Sequence, residues 1–149
     1  MDDKSCFLFG HRNADEGLLP MLEPVIEELI RQEGVCRFYV GHYGGFDRAA
    51  AAALRRAKQR HPHITVMLVL PYLPTGADLL PRGFDGTYWP EGMESTPRRY
   101  AIVRANRLLV DLCGYLVCHV VSDLGNSGRL LSYARRRHAP CRICNLARL

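Results

Sequence analysis

At 149 residues, with 48% hydrophobic and 23% charged residues and a formal net charge of +5, the chain has the size and balance of one globular domain, able to bury roughly 68–70% of its unfolded surface. No apolar run approaches the roughly 18 residues of a membrane span, and Met1-Asp2-Asp3-Lys4 lacks the pattern of a secretory leader, so no membrane partner is expected and the expected location is the cytoplasm. The positive balance, with arginines crowded toward the second half, suits an anionic ligand or a weak attraction to nucleic acid.

The opening element sets the grammar for the rest. Cys6-Phe7-Leu8-Phe9 is an apolar run that leads into Gly10, His11 and Arg12, which reads as a buried strand ending at a binding edge. A polar turn follows, after which Leu18, Leu22, Val25, Ile26, Leu29 and Ile30 recur at helical spacing up to Gly34, the expected stop. Pro20 and Pro24 leave two starts open: a regular helix from Met21, or a kink at Pro24.

The second strand, 36–41, ends at Gly41 and runs into His42-Tyr43-Gly44-Gly45-Phe46-Asp47. The alanine-rich segment from Arg48 is a strong helix former with Asp47 placed as its cap, and its small side chains allow close approach to the sheet. His61-Pro62-His63 reads as a solvated turn ending that helix, and 64–70 as a third strand covered on both faces. The stretch 71–97 combines Pro71, Pro74, Pro81, Pro90 and Pro97 with Tyr72, Phe84, Tyr88 and Trp89. That is the composition of a packed loop or lid, with room for a short strand near 84–88. It either wraps the sheet edge or offers an aromatic ring for stacking on a base.

The next helix carries Tyr100, Val103, Leu108 and Val110 inward, with Arg98, Arg99, Arg104 and Arg107 on other faces. The fourth strand, 115–121, leads through Ser122-Asp123-Leu124-Gly125 into a last long helix that opens at Asn126-Ser127-Gly128. It closes on Arg135-Arg136-Arg137-His138, a basic run that the helix dipole alone accounts for. A short fifth strand, 141–145, completes the pattern. The six cysteines sit mostly in apolar patterns, as small buried hydrophobes of a reducing compartment. Cys141 and Cys144, three apart on a strand, point to opposite faces, so no metal site is expected.

Strands alternating with helices argue an α/β domain with a mostly parallel sheet of about five strands, joined by right-handed crossovers. Ligands of such sheets bind outside the carboxyl ends of the strands, where strand order reverses. With the first strand central, between the second and the fourth, three glycine-bearing turns converge there. Backbone N–H groups at a helix start, unobstructed by Cβ atoms, can hold phosphate. Gly44-Gly45 and Gly125-Asn126-Ser127-Gly128 have this form. Gly10 permits a sharp turn, His11 and Arg12 reach an anion, and Asp47 accepts a ribose hydroxyl or caps its helix. No phosphate-binding P-loop, nucleophile elbow or metal-ligand cluster occurs, and neither Glu91 nor Glu94 is tied by spacing to the glycine turns, so no catalytic residue is assigned.

Gly10-His11-Arg12, Gly41 with Gly44-Gly45-Phe46-Asp47, and Leu70-Pro71-Tyr72, continued by Tyr88-Trp89-Pro90, Arg104-Ala105-Asn106-Arg107 and Asn145-Leu146, resemble the YpsA-like branch of the SLOG superfamily. These are Rossmann-like domains related to the Lonely Guy phosphoribohydrolases and the DNA-processing protein A family. The resemblance spans nearly the whole chain and implies a single-domain, Rossmann-like three-layer sandwich over 1–149. It also implies a nucleotide or nucleotide-derived ligand at the strand tips, no required cofactor, self-association, and a bacterial or phage setting. The Pro-Gly-Gly-x-Gly-Thr-x-x-Glu signature of the hydrolase branch is absent, and 124–131 carries no glutamate. Binding or sensing is therefore the leading expectation; cleavage of a nucleoside monophosphate at its N-glycosidic bond is the first alternative, and a single-stranded DNA-binding module the second.

Overall fold

Helices and strands alternate along the chain as the apolar periodicity requires. In the computed structural model, which describes residues 2–73, 82–137 and 142–148, the strands are β1 (Asp2–Gly10), β2 (Arg37–Val40), β3 (Thr65–Val69), β4 (Gly86–Tyr88), β5 (Cys113–His119) and β6 (Arg142–Asn145). The helices are α1 (Leu19–Arg31), α2 (Gly45–Arg60), α3 (Arg98–Leu112) and α4 (Gly125–Arg136). Pro74, Pro81, His138 and Cys141, which entered the reading of the 71–97 stretch, the basic run and the cysteine pair, lie outside the described residues.

The strands form one sheet in the order β4-β3-β2-β1-β5-β6, and every pairing in it is parallel. β1 is central, as expected, with β2 on one side and β5 on the other. The sheet has six strands where about five were expected. The sixth is the short strand for which 84–88 left room: Gly86-Thr87-Tyr88, held by its register against Met67, Leu68 and Val69. Tyr88 then packs edge-on against Tyr39, with ring centroids 5.1 Å apart.

Side-chain alternation on the strands makes two cores. Cys6, Leu8, Phe38 and Val40 face α1 and α2, while Phe7, Phe9, Leu116 and Cys118 face α3 and α4. The result is a three-layer sandwich in which large side chains such as Phe7, Phe38 and Leu8 are fully buried, each stabilising the fold by about 1.5–3 kcal/mol. Ala49, Ala50, Ala53 and Ala57 are buried against the sheet side of α2, as the alanine run predicts. Cys6, Cys113 and Cys118 are buried free thiols, and burial pushes the Cys118 thiol up to about 12. No helix among the described residues is long and apolar enough to cross a membrane.

Several boundaries differ from the sequence reading for identifiable reasons. α1 begins at Leu19 rather than Met21, because a 3-10 turn over Glu16–Leu18 leads into it and Pro20 falls in its first turn. Pro24 sits inside the helix on its exposed side, where water can satisfy the carbonyl left without a donor. α2 begins at Gly45, so Asp47 is the third residue of its first turn and Gly44 occupies the cap. On α3 the buried positions are Ala101, Ala105, Leu109 and Val110. Tyr100 and Val103, expected to face inward, are 54% and 40% exposed, because small residues four apart let this helix lie close to the sheet and turn its larger neighbours outward.

Two polar side chains fasten the end of the fold. Arg137, from the basic run, donates to the carbonyl of Val110 at 2.7 Å and pairs with Asp111 at 2.9 Å, so it closes α4 onto the end of α3. The Asn145 carboxamide accepts from the N–H of Val120 and donates to its carbonyl, both at 3.0 Å, extending the sheet through a side chain. Asn145→Ala leaves both backbone groups of the buried Val120 unpaired and is expected to cost about 1–3 kcal/mol, read as a lower midpoint in urea unfolding with an unchanged slope.

Candidate functional site

β1 and β2 end side by side, and the chain leaves β1 through residues 10–13 before turning back into α1. That turn is stapled to the start of α2. The N–H of Gly45 donates to the carbonyl of Arg12 at 2.6 Å and that of Phe46 to the carbonyl of His11 at 3.4 Å. A Cβ on Gly44 would stand 2.5 Å from the Arg12 Cα, so glycine is the residue that lets these two backbones meet. From the other side, Ser127 at the start of α4 donates its hydroxyl to the carbonyl of Gly10 at 2.7 Å. The N–H of Val121, just past β5, donates to Nε2 of His11 at 3.1 Å.

These ties enclose a pocket of about 400 Å³ at the carboxyl edge of the sheet. Gly10, His11, Arg12 and Asn13 form its floor; Gly41, Tyr43, Gly44 and Asp47 form one wall; Asn126, Ser127 and Leu130 form the opposite one. The outer side is closed by Val69 and Pro71 after β3 and by Ile102, Ala105 and Asn106 of α3. The three turns singled out in the sequence thus meet in one place. It lies where the strand order, having run from β1 out to β4, reverses to β5 and β6.

Four of the residues expected to bind ligand do structural work instead. Phe46 is fully buried and fills the space beside Gly10, where a Cβ would stand 2.9 Å from the Phe46 Cβ. Gly45 is required because a Cβ there would stand 2.8 Å from the carbonyl carbon of Ala14 and still closer to its oxygen. Gly128 faces Asp123 in the same way, with a Cβ 2.5 Å from its carbonyl carbon. Gly125 has φ +81, a turn conformation that glycine adopts freely. None of these four lines the pocket. Since Gly45 and Phe46 spend their N–H groups on the β1 loop, the start of α2 is a poorer phosphate cradle than its glycines suggest.

The start of α4 is better suited. Leu124 gives its N–H to Ser122 Oγ at 3.1 Å, while the N–H groups of the pocket-lining Asn126 and Ser127 have no acceptor among the described residues. The first turn of a helix leaves such donors free, and its dipole favours an anion. Arg12 is exposed and has no ion-pair partner among the described residues, so its guanidinium is available to the pocket it lines. His11 contributes differently from expectation. Its Nε2 accepts a hydrogen bond and therefore carries a lone pair, which places the proton of the neutral ring on Nδ1.

Asp47 is the one carboxylate among the lining residues. Its Oδ2 accepts the N–H of Tyr43 at 2.9 Å. Burial pushes its carboxyl up to about 6, outweighing the Tyr43 N–H and the nearby Arg48 and Arg12. A carboxyl raised in the folded state destabilises the fold once ionised, so the penalty is absent below the ordinary value of 3.8, grows between there and about 6, and is complete above it. Asp47→Asn keeps an oxygen for Tyr43 and removes the charge. It is expected to raise stability at neutral pH by about 2 kcal/mol and to match the wild type near pH 4, as read by urea unfolding across that range.

Tyr43, Asn106 and Ile102 were not among the expected site residues. Ile102, Ala105 and Asn106 share the helical spacing of one face, and Asn106 stands out there only as a polar residue between buried alanine and solvent. Tyr43 is half-buried with its ring 4.3 Å from that of His42; burial and the neighbouring Tyr72 hydroxyl raise its pKa. Arg98 lies 4.2 Å over the Tyr72 ring. The chain matches no model of a known protein family and no curated protein.

Proposed function

We propose that this domain binds a nucleotide or nucleotide-derived ligand in the pocket between the tips of β1, β2 and β5, in keeping with its resemblance to the YpsA-like branch of the SLOG superfamily. One observation carries the reading: Arg12, without an ion-pair partner among the described residues, and the helix-start residues Asn126 and Ser127, whose N–H groups have no acceptor among them, line one pocket at the point of strand-order reversal. Phosphate sits between Arg12 and the first turn of α4. The sugar and base extend toward Tyr43, Ile102 and Asn106, where an aromatic ring, an aliphatic side chain and a carboxamide meet the needs of stacking and edge recognition. A location in the cytoplasm, where such ligands are abundant, accords with this reading and with the free thiols.

Isothermal titration of the wild-type chain with nucleoside mono- and diphosphates, cyclic dinucleotides and ADP-ribose tests the proposal. Saturable binding of one of these classes, with one site per pocket, is the expected result. Heats no larger than dilution across the whole panel contradict it.

A further inference from the structure

Asp47 poses a question that phosphate binding leaves unanswered, because a carboxylate in an anion pocket opposes the anion. Its Oδ2 is engaged by the Tyr43 N–H, and Oδ1 has no hydrogen-bond partner among the described residues. No lysine, arginine or histidine forms an ion pair with it there. A carboxylate with one acceptor edge left free by the protein, held at the wall of the pocket, can take hydrogen-bond donors from a ligand there.

Arg12 and Asp47 belong to the same stapled unit: the N–H of Gly45, two residues before Asp47, is bonded to the Arg12 carbonyl, and both side chains line the same pocket. The part of a nucleotide covalently next to its phosphate is the sugar. We infer that Asp47 selects ligands with a ribose carrying a free 2′,3′-diol, its Oδ1 accepting from the hydroxyls, so that ribonucleotides bind and their dideoxy counterparts are rejected. This rests on the nucleotide reading above and adds to it the sugar class and the residue that decides it.

A consequence follows for pH. The charged and titratable groups facing Asp47 are Arg12 from the β1 loop, Arg48 on its own helix and Tyr43 from the β2 loop, with Tyr72 and Arg98 beyond Tyr43. Only the ionised carboxylate accepts from both hydroxyls, and with its carboxyl raised to about 6, selection for the diol weakens in mild acid.

The four ribonucleoside 5′-monophosphates and their 2′,3′-dideoxy counterparts, titrated into the wild-type chain, test this. Each pair carries the same phosphate, so the ratio of the two affinities cancels the titration of the phosphate itself. The ribonucleotide that binds is expected to exceed its dideoxy partner by about 10- to 100-fold at about pH 7.5. The ratio is expected to fall by about tenfold at about pH 5, where roughly one carboxyl in eleven is ionised. Asp47→Asn should lose the preference at both pH values. Equal affinity for the two sugars at neutral pH, or a preference unchanged in mild acid, overturns the inference while leaving the nucleotide reading standing. Failure of the wild type to bind either series removes both. The wild-type ratios need no variant, so the test does not depend on Asp47→Asn.

Discussion

Gly45→Ala is expected to lower the midpoint of thermal unfolding by about 10 °C, equivalent to about 3 kcal/mol for a chain of this size. The added methyl would stand 2.8 Å from the carbonyl carbon of Ala14 and 3.2 Å from the carbonyl oxygen of Arg12, with the Ala14 oxygen nearer still. These are backbone atoms and cannot swing aside as a side-chain tip does. Relief requires parting the β1 loop from the start of α2, which breaks the hydrogen bonds from Gly45 to Arg12 and from Phe46 to His11 and loosens the fully buried Phe46. Gly125→Ala is the informative contrast. Its Cβ meets nothing within 4 Å, so it bears only the left-handed strain of φ +81, roughly 1–2 kcal/mol. Differential scanning calorimetry of the two variants should therefore rank Gly45→Ala well below Gly125→Ala. The reverse order would mean that the stapled loop is not what holds the strand tips together.

Arg12→Ala is expected to weaken ligand binding by about 10- to 100-fold, the loss of a charged hydrogen-bonding partner worth about 1.5–3 kcal/mol. Stability should stay within about 0.5 kcal/mol of wild type, because the side chain is exposed and forms no ion pair among the described residues. The backbone of residue 12 keeps its contacts with Gly44 and Gly45 in the variant, which separates this substitution from the glycine ones. Arg12→Lys should recover only part of the affinity, since an ammonium offers a point charge where the guanidinium offers a planar fork. Titration calorimetry beside thermal unfolding reads both effects, and wild-type affinity in Arg12→Ala would place the anion elsewhere in the pocket.

Much of the architecture could be read from residues because burial on both faces leaves a strong mark. The run at 6–9 is apolar throughout, and 64–70 and 115–121 are broken only by Thr65 and His119, as befits parallel strands covered by helices on each side. What escaped was weakly marked. The short strand allowed near 84–88 does form, but its exact bounds, Gly86–Tyr88, come from pairing with β3, a contact no local pattern encodes. Tyr100 and Val103 matched an apolar helical face, yet alanines at 101 and 105 took the sheet side instead.

At the site, the convergence of residues 10, 44 and 127 on one pocket was legible from three glycine turns on strands expected to be neighbours. The roles within it were not. A glycine at a strand-to-helix junction is needed equally to admit a ligand and to admit another stretch of backbone, and at Gly45 and Gly128 the neighbour is backbone. Phe46 stands in the second glycine turn beside the ligand-binding candidates, but it is buried and fills the space beside Gly10. Asn106 escaped because helical spacing identifies which residues share a face and gives no sign that the face ends over a pocket. His11 was read as an anion holder, whereas the Val121 N–H already occupies its Nε2.

Amide chemical-shift mapping of the ¹⁵N-labelled chain, titrated with the nucleotide that binds best in calorimetry, tests the central claim most directly. The account predicts that the largest shifts fall on Arg12, Asn126 and Ser127, with smaller ones on Tyr43, Asp47 and Asn106. Shifts confined to the outer arginine faces of α3 and α4, with these amides unmoved, would contradict it.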